Sequence, residues 1–125
     1  MQPFLDHLAQ RGYELEERAE NVWFAGHGDF PAMFVLVGMG GFILRAYFAD
    51  VKSAPRETPL QQANRLNREA VASRFYLDDD QDLVVEAWHP GEYEEKAFDA
   101  FLDAWLRDLR TLLEVHQTAQ RSFDA

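Results

Sequence analysis

The sequence contains no cysteine, which excludes disulfide staples, thiolate nucleophiles and cysteine-based zinc sites. No apolar run is long enough to span a bilayer, and the opening residues Met1-Gln2-Pro3-Phe4-Leu5-Asp6 carry no basic stretch ahead of a hydrophobic segment. A cytoplasmic location is expected. Lysine is scarce: among 12 basic residues only Lys52 and Lys96 are lysines, against 22 acidic residues, for a formal charge of −10. A field of that sign repels phosphate backbones and anionic lipid head groups, so neither direct nucleic-acid binding nor membrane binding is expected. No stretch is dominated by charge or by Pro, Gly and Ser, so composition offers no argument for disorder.

What the chain does have is apolar material for one core. Its 125 residues are 47% hydrophobic and 14% aromatic, enough for a single domain that buries a sizeable interior. That domain is expected over residues 1–117, with 118–125 as a flexible tail.

The period of the apolar residues changes along the chain. Pro3, the stripe Phe4, Leu5 and Leu8, and the stop at Gly12 predict a short first helix. From Tyr13 to Phe48 the helical period vanishes, and aromatic and β-branched runs are broken by Gly26-His27-Gly28 and Gly38-Met39-Gly40-Gly41. This predicts antiparallel strands, with Ala32 to Val37 and Phe42 to Ala49 joined in a hairpin. Thr58-Pro59 reads as an N-cap and first helical residue, opening a helix to about Val71. Ser73 to Leu77 and Leu83 to Trp88 form a second hairpin around an acidic turn. A long amphipathic helix then runs from Glu92 to His116, with Phe98, Phe101, Leu102, Trp105, Leu109, Leu112 and Leu113 on one stripe. The order is α-β-β-β-α-β-β-α, an α+β class with an antiparallel sheet and helices packed on one face.

Motifs that would carry chemistry fall short. Asp78, Asp80 and Asp82 match the first ligands of a calcium loop, but Leu83 stands at the glycine position and His89 at the closing glutamate. A solvated turn is the better reading. Gly38 to Gly41 lack the following Lys-Ser or Lys-Thr of a phosphate loop, and the four histidines are scattered. No nucleophile elbow is present. No metal, no cofactor and no catalytic residue are expected.

Two features suggest surfaces instead. In strict alternation Ile43, Arg45 and Tyr47 lie on the sheet face opposite Phe42, Leu44, Ala46 and Phe48, and the second hairpin adds Arg74, Tyr76, Val84, Glu86 and Trp88. Aromatics mixed with arginine compose protein contact surfaces, so Ile43, Arg45, Tyr47, Arg74, Tyr76 and Trp88 are candidate partner-binding residues. The long helix, on the order of 37 Å, keeps its apolar stripe to the end. Leu109, Leu112, Leu113 and His116 are therefore candidates for a homodimer interface. Asn64 and Asn67 fall on the apolar side of the second helix and are expected to hydrogen-bond backbone as structural polar groups.

The run Asn64-Arg65-Leu66-Asn67, then Arg74-Phe75-Tyr76-Leu77-Asp78, Leu83-Val84-Val85-Glu86-Ala87 and the closing helix resembles the YbjN family. That family's fold is similar to the type III secretion chaperones. The resemblance implies a bacterial, non-enzymatic, often dimeric protein linked to stress response and sensory regulation, and it carries over no catalytic residue. The leading expectation is a protein-binding module, a chaperone-like adaptor or stress-response regulator acting through a protein partner. The alternative is a small-molecule sensor or small enzyme with a pocket between sheet and helices.

Overall fold

The structure is a computed structural model that describes residues 2–50, 58–115 and 118–120. The element order is α1 (Pro3–Gln10), β1 (Glu14–Ala19), β2 (Val22–Gly26), β3 (Met33–Gly38), β4 (Gly41–Asp50), α2 (Pro59–Glu69), β5 (Ser73–Leu77), β6 (Leu83–Pro90), α3 (Glu95–Val115) and β7 (Thr118–Gln120). The sheet is antiparallel in the order β1-β2-β3-β4-β6-β5, and β7 pairs with the far end of β4.

The α+β class and the packing of helices on one face of an antiparallel sheet match the expectation. The strand count differs. The expected first strand divides at Glu20-Asn21, where Asn21 takes φ 60, a left-handed conformation that asparagine tolerates. Four strands thus precede α2. Thr118–Gln120, expected in the tail, lie beside β4 in the register Phe48↔Gln120 to Asp50↔Thr118.

Alternation on β4 is as expected: Phe42, Leu44, Ala46 and Phe48 are buried, while Ile43, Arg45 and Tyr47 are intermediate. The buried side joins Trp23, Ala25, Met33, Val35, Phe75, Val85 and Ala87 from the other strands to Phe4, Leu5 and Leu8 of α1 and to the α3 stripe. Trp105, Phe98, Leu102 and Leu112 have no exposure at all. The space between sheet and helices is therefore a packed core.

Local chemistry fixes the edges. Thr58 and Gln61 form a reciprocal capping box at the start of α2. Asn67 donates to the Phe75 carbonyl at 2.9 Å and accepts from the Phe75 N–H at 2.7 Å. It satisfies the outer edge of β5 as a further strand would. Asn64 is exposed, because the buried face of α2 is Gln62, Ala63 and Leu66. Of the two amides placed on that apolar side, Asn67 alone makes the expected backbone bonds.

Asp108 of α3 is 2% exposed and accepts the backbone N–H groups of Val71, Ala72 and Ser73 at 2.8, 2.9 and 2.8 Å. It clasps the α2–β5 connection to α3.

The β3–β4 hairpin turns through Met39 and Gly40, both at positive φ. At Gly41 an added Cβ would lie inside van der Waals contact of the His89 carbonyl oxygen and 2.8 Å from the Trp88 ring. Gly41→Ala is expected to cost about 2 kcal/mol through this overlap with backbone, read as a lowered denaturant midpoint. An unchanged midpoint would contradict the close approach of β4 and β6.

Candidate functional site

The face of the sheet away from the helices carries no covering element among the described residues. Its side chains follow from register, because directly paired residues share a face. One row across the sheet is Glu16, Phe24, Phe34, Arg45, Glu86 and Arg74, and the next is Val22, Leu36, Ile43 and Trp88. Tyr47, Val84 and Tyr76 form a third, partial row.

Packing on this face is aromatic and cationic. Phe24 and Phe34 meet edge-on with centroids 5.1 Å apart, and Phe34 meets Tyr47 at 6.1 Å. Arg18 lies over Phe24 at 4.7 Å while its Nε holds Glu16 at 2.8 Å, and Arg74 lies over Tyr76 at 5.3 Å.

Glu86 is the anchor of the face. Its side chain is 8% exposed and accepts from Arg45 Nε at 2.6 Å, from Arg74 through Nε at 3.1 Å and through Nη2, and from the Tyr76 hydroxyl at 3.2 Å. Burial favours the neutral acid, but the hydrogen bonds and charges of Arg74 and Arg45 outweigh it and hold the carboxyl below its ordinary value. Burial works against the Arg45 charge as well, yet Glu86 raises its pKa above the usual arginine value. Burial and the Glu86 charge push the Tyr76 phenol up. The group of two cations and one anion is locally positive on a chain of charge −10.

Beside it lies a hollow of about 580 Å³ lined by Met39, Ile43, Ala72, Ser73, Arg74, Glu86 and Trp88. Met39 is 92% exposed at the hairpin tip, Trp88 is 44% exposed, and Val71 next to the hollow's rim is 59% exposed. Large apolar groups held at a surface beside a fixed arginine are the composition of a protein contact.

Of the residues expected to bind a partner, Ile43, Arg45, Tyr47, Arg74, Tyr76 and Trp88, all six lie on this face. Phe24, Phe34, Leu36 and Met39 belong with them and were not anticipated, although Val22/Phe24 and Phe34/Leu36 alternate legibly along β2 and β3. The residues expected at a dimer interface on α3 are dispersed. Leu109 and Leu112 are 1% and 0% exposed within the chain's own core, so they offer no surface. Leu113 is 48% exposed beside a small groove with Phe30 and Pro31, and His116 lies outside the described residues.

A second group of titratable residues sits between α1 and the start of α3, in an open cleft of about 540 Å³. The His7 ring bonds the Tyr93 hydroxyl through Nδ1 at 2.8 Å and Asp99 through Nε2 at 3.0 Å, and Arg11 holds Asp99 at 2.7 Å and Asp103 at 3.0 Å. The His7 bond and the Arg11 charge keep the Asp99 carboxyl below its usual value, whereas Tyr93 is raised by desolvation and by the neighbouring acids Glu95, Glu94, Asp99 and Asp6. A nucleophilic phenol needs the opposite shift. The group fastens α1 to α3, and His7→Ala is expected to lower the melting temperature by several degrees, in line with about 1–2 kcal/mol for two partly buried hydrogen bonds.

In the acidic turn, Asp78 Oδ1 accepts the N–H groups of Asp80 and Asp82 at 2.9 and 3.0 Å, the internal bonding of an Asx turn. Among the described residues no three His, Asp or Glu side chains are grouped to hold a metal ion. No described helix is long and apolar enough to cross a membrane.

Comparison with known proteins adds two findings. Residues 2–117 match the YbjN family model, whose description reads "Putative bacterial sensory transduction regulator". The fold is similar to that of a chain in the heterodimeric ExoU-SpcU complex from the type III secretion system of Pseudomonas aeruginosa, at 18% identity and a TM-score of 0.64, over 90% of this chain and 96% of that one. No curated protein matches the chain.

Proposed function

Since the chain belongs to the YbjN family, we propose that it is a non-catalytic protein-binding module, a regulator or chaperone-like adaptor of the cytoplasm, whose working surface is the open face of the sheet. The observation that carries this reading is the row Arg45, Glu86 and Arg74 beside the hollow of Met39, Ile43 and Trp88. Burying a carboxylate under two arginines, on a face with no covering element among the described residues, costs desolvation that a solvated surface pair does not. A face so built is already shaped and partly dehydrated for contact with another chain. The similar fold in a heterodimeric complex is consistent with a protein-binding role. A stress-related function is the finer expectation, drawn from the family.

The variant Ile43→Asp/Trp88→Asp tests this. Both side chains are on the open face, so folding is expected to survive, as checked by circular dichroism and melting. Protein partners recovered with the natural chain are expected to be lost, while Arg107→Glu on the exposed side of α3 keeps them. Equal recovery by the open-face variant would contradict the reading.

A further inference from the structure

We infer that the groove between the β2–β3 loop and the last turns of α3 is a docking site for residues 121–125 of this chain, with Phe123 as the anchor. The groove belongs to the helix side of the sheet and stands apart from the reading of the open face.

The groove has a volume of about 250 Å³. Its apolar lining includes Phe30 and Pro31 of the loop and Leu106 and Leu113 of α3, with Phe30 40% and Leu113 48% exposed. Two large apolar side chains thus meet water at one place. Phe30 is held there: its ring packs against His27 with centroids 4.8 Å apart. His27 Nε2 donates to the Arg11 carbonyl at 2.9 Å, which leaves Nδ1 to accept the Asp29 N–H at 2.9 Å. The loop wall is therefore fixed before anything occupies the groove, and a preorganised wall lowers the ordering cost of binding.

Register says which segment reaches it. β6 covers one edge of β4 as far as Phe48↔Leu83, so β7, which pairs Gln120 with the same Phe48, lies along the other edge, the one that β3 uses. Carried back from Phe34↔Arg45, the β3 register arrives at Phe48 with Pro31. β7 therefore ends where the β2–β3 loop enters β3. A further residue in the β7 register would oppose Tyr47, the position of Ala32, so the chain beyond Gln120 turns off the sheet at Pro31, which lines the groove. Phe123 follows three residues later, a reach of about 10 Å at roughly 3.3 Å per residue, enough for the step from Pro31 onto Phe30 and Leu113.

The charges agree. Asp29, Arg110 and Glu114 stand around the apolar lining, and the exposed Arg110 has no ion-pair partner among the described residues. Residues 121–125 read Arg-Ser-Phe-Asp-Ala, a cation and an anion on either side of one aromatic ring. With Phe123 on Phe30 and Leu113, Asp124 comes to Arg110 and Arg121 to the acids Asp29 and Glu114. Each contact is weak, but the segment is tethered to its site, and a short tether supplies an effective concentration on the order of millimolar. The segment lies beyond residues 2–117, which match the family model, so this device belongs to the chain itself.

The natural chain has no cysteine, so an introduced pair can be trapped without competing thiols. Ser122→Cys with Glu114→Cys, under mild oxidation, is expected to form an intramolecular disulfide, read by mass and by a faster monomer band on a non-reducing gel, because a disulfide needs Cα atoms within about 7 Å. Ser122→Cys with Asp103→Cys, about 16 Å farther up the same helix, is expected to stay reduced. Adding Phe123→Ala to the first pair is expected to cut trapping several-fold. In the cysteine-free chain, Phe123→Ala and Leu113→Asp are each expected to lower the melting temperature by a few degrees. The double variant is expected to fall no further than the larger single shift, since both remove one shared contact. Absence of trapping at Glu114, equal trapping at both helix positions, a disulfide between two chains, or fully additive melting shifts would overturn the inference.

Discussion

Asp108→Ala is expected to destabilise the domain by about 3–5 kcal/mol, because removing a buried charge acceptor strands the groups that were bonded to it. Three backbone N–H groups, those of Val71, Ala72 and Ser73, lose their partner together. Against the total stability of about 5–15 kcal/mol for a domain of ordinary size, a loss of that order brings the chain close to unfolding. Urea titration measures it. Asp108→Asn keeps one acceptor oxygen and is expected to fall between. The consequence reaches the open face, since the clasp fixes where β5 begins and so where Arg74 and Tyr76 stand. A loss below about 1 kcal/mol for Asp108→Ala would contradict this account.

Glu86→Ala is the second large effect, expected at about 2–3 kcal/mol. It leaves the Arg45 side chain, 27% exposed, without the carboxylate that offsets its burial, and it releases Arg74 and the Tyr76 hydroxyl. Glu86→Gln isolates the charge. The carboxyl of Glu86 is held below its ordinary value in the folded chain, so its ionised form contributes stability above the unfolded pKa of about 4.3 and loses that contribution as pH falls through the folded value. The difference between Glu86→Gln and the natural chain is therefore expected to be full at pH 7 and to shrink below about pH 4. A difference independent of pH would mean that shape, and not charge, is what Glu86 supplies.

How much of this was legible in the sequence depends on whether neighbours in the chain carry the pattern. The two faces of β4 were readable because strand period is two and one side is apolar throughout. Thr58-Pro59 marked the start of α2 for a local reason, since caps act within one turn. The division of β1 from β2 was obscured because Glu14–Ala19 is charged on both sides, with Leu15 its most buried member, and Asn21 makes the turn without glycine. Asp108 was hidden in plain view. It falls at helical spacing from Trp105 and Leu112, inside the buried stripe, but its partners are backbone groups more than 30 residues away. The stripe of α3 was read correctly as apolar, yet whether its far end meets a second chain or its own sheet is a tertiary question. The sheet proved long enough to bury Leu109 and Leu112. The open face was visible from β4, β5 and β6, and its extension to Phe24 and Phe34 needed the pairing of β2 with β3.

The most direct test of the central claim is photo-crosslinking in living cells, with a benzoylphenylalanine placed in turn at Tyr47, at Trp88 and, as a control on the helix layer, at Arg107. The open face as the protein-binding surface predicts a discrete protein adduct, with a second copy or with another chain, from Tyr47 and Trp88 and none from Arg107. Adducts from Arg107 alone, with positions 47 and 88 silent, would place the binding surface on the helices and contradict the account.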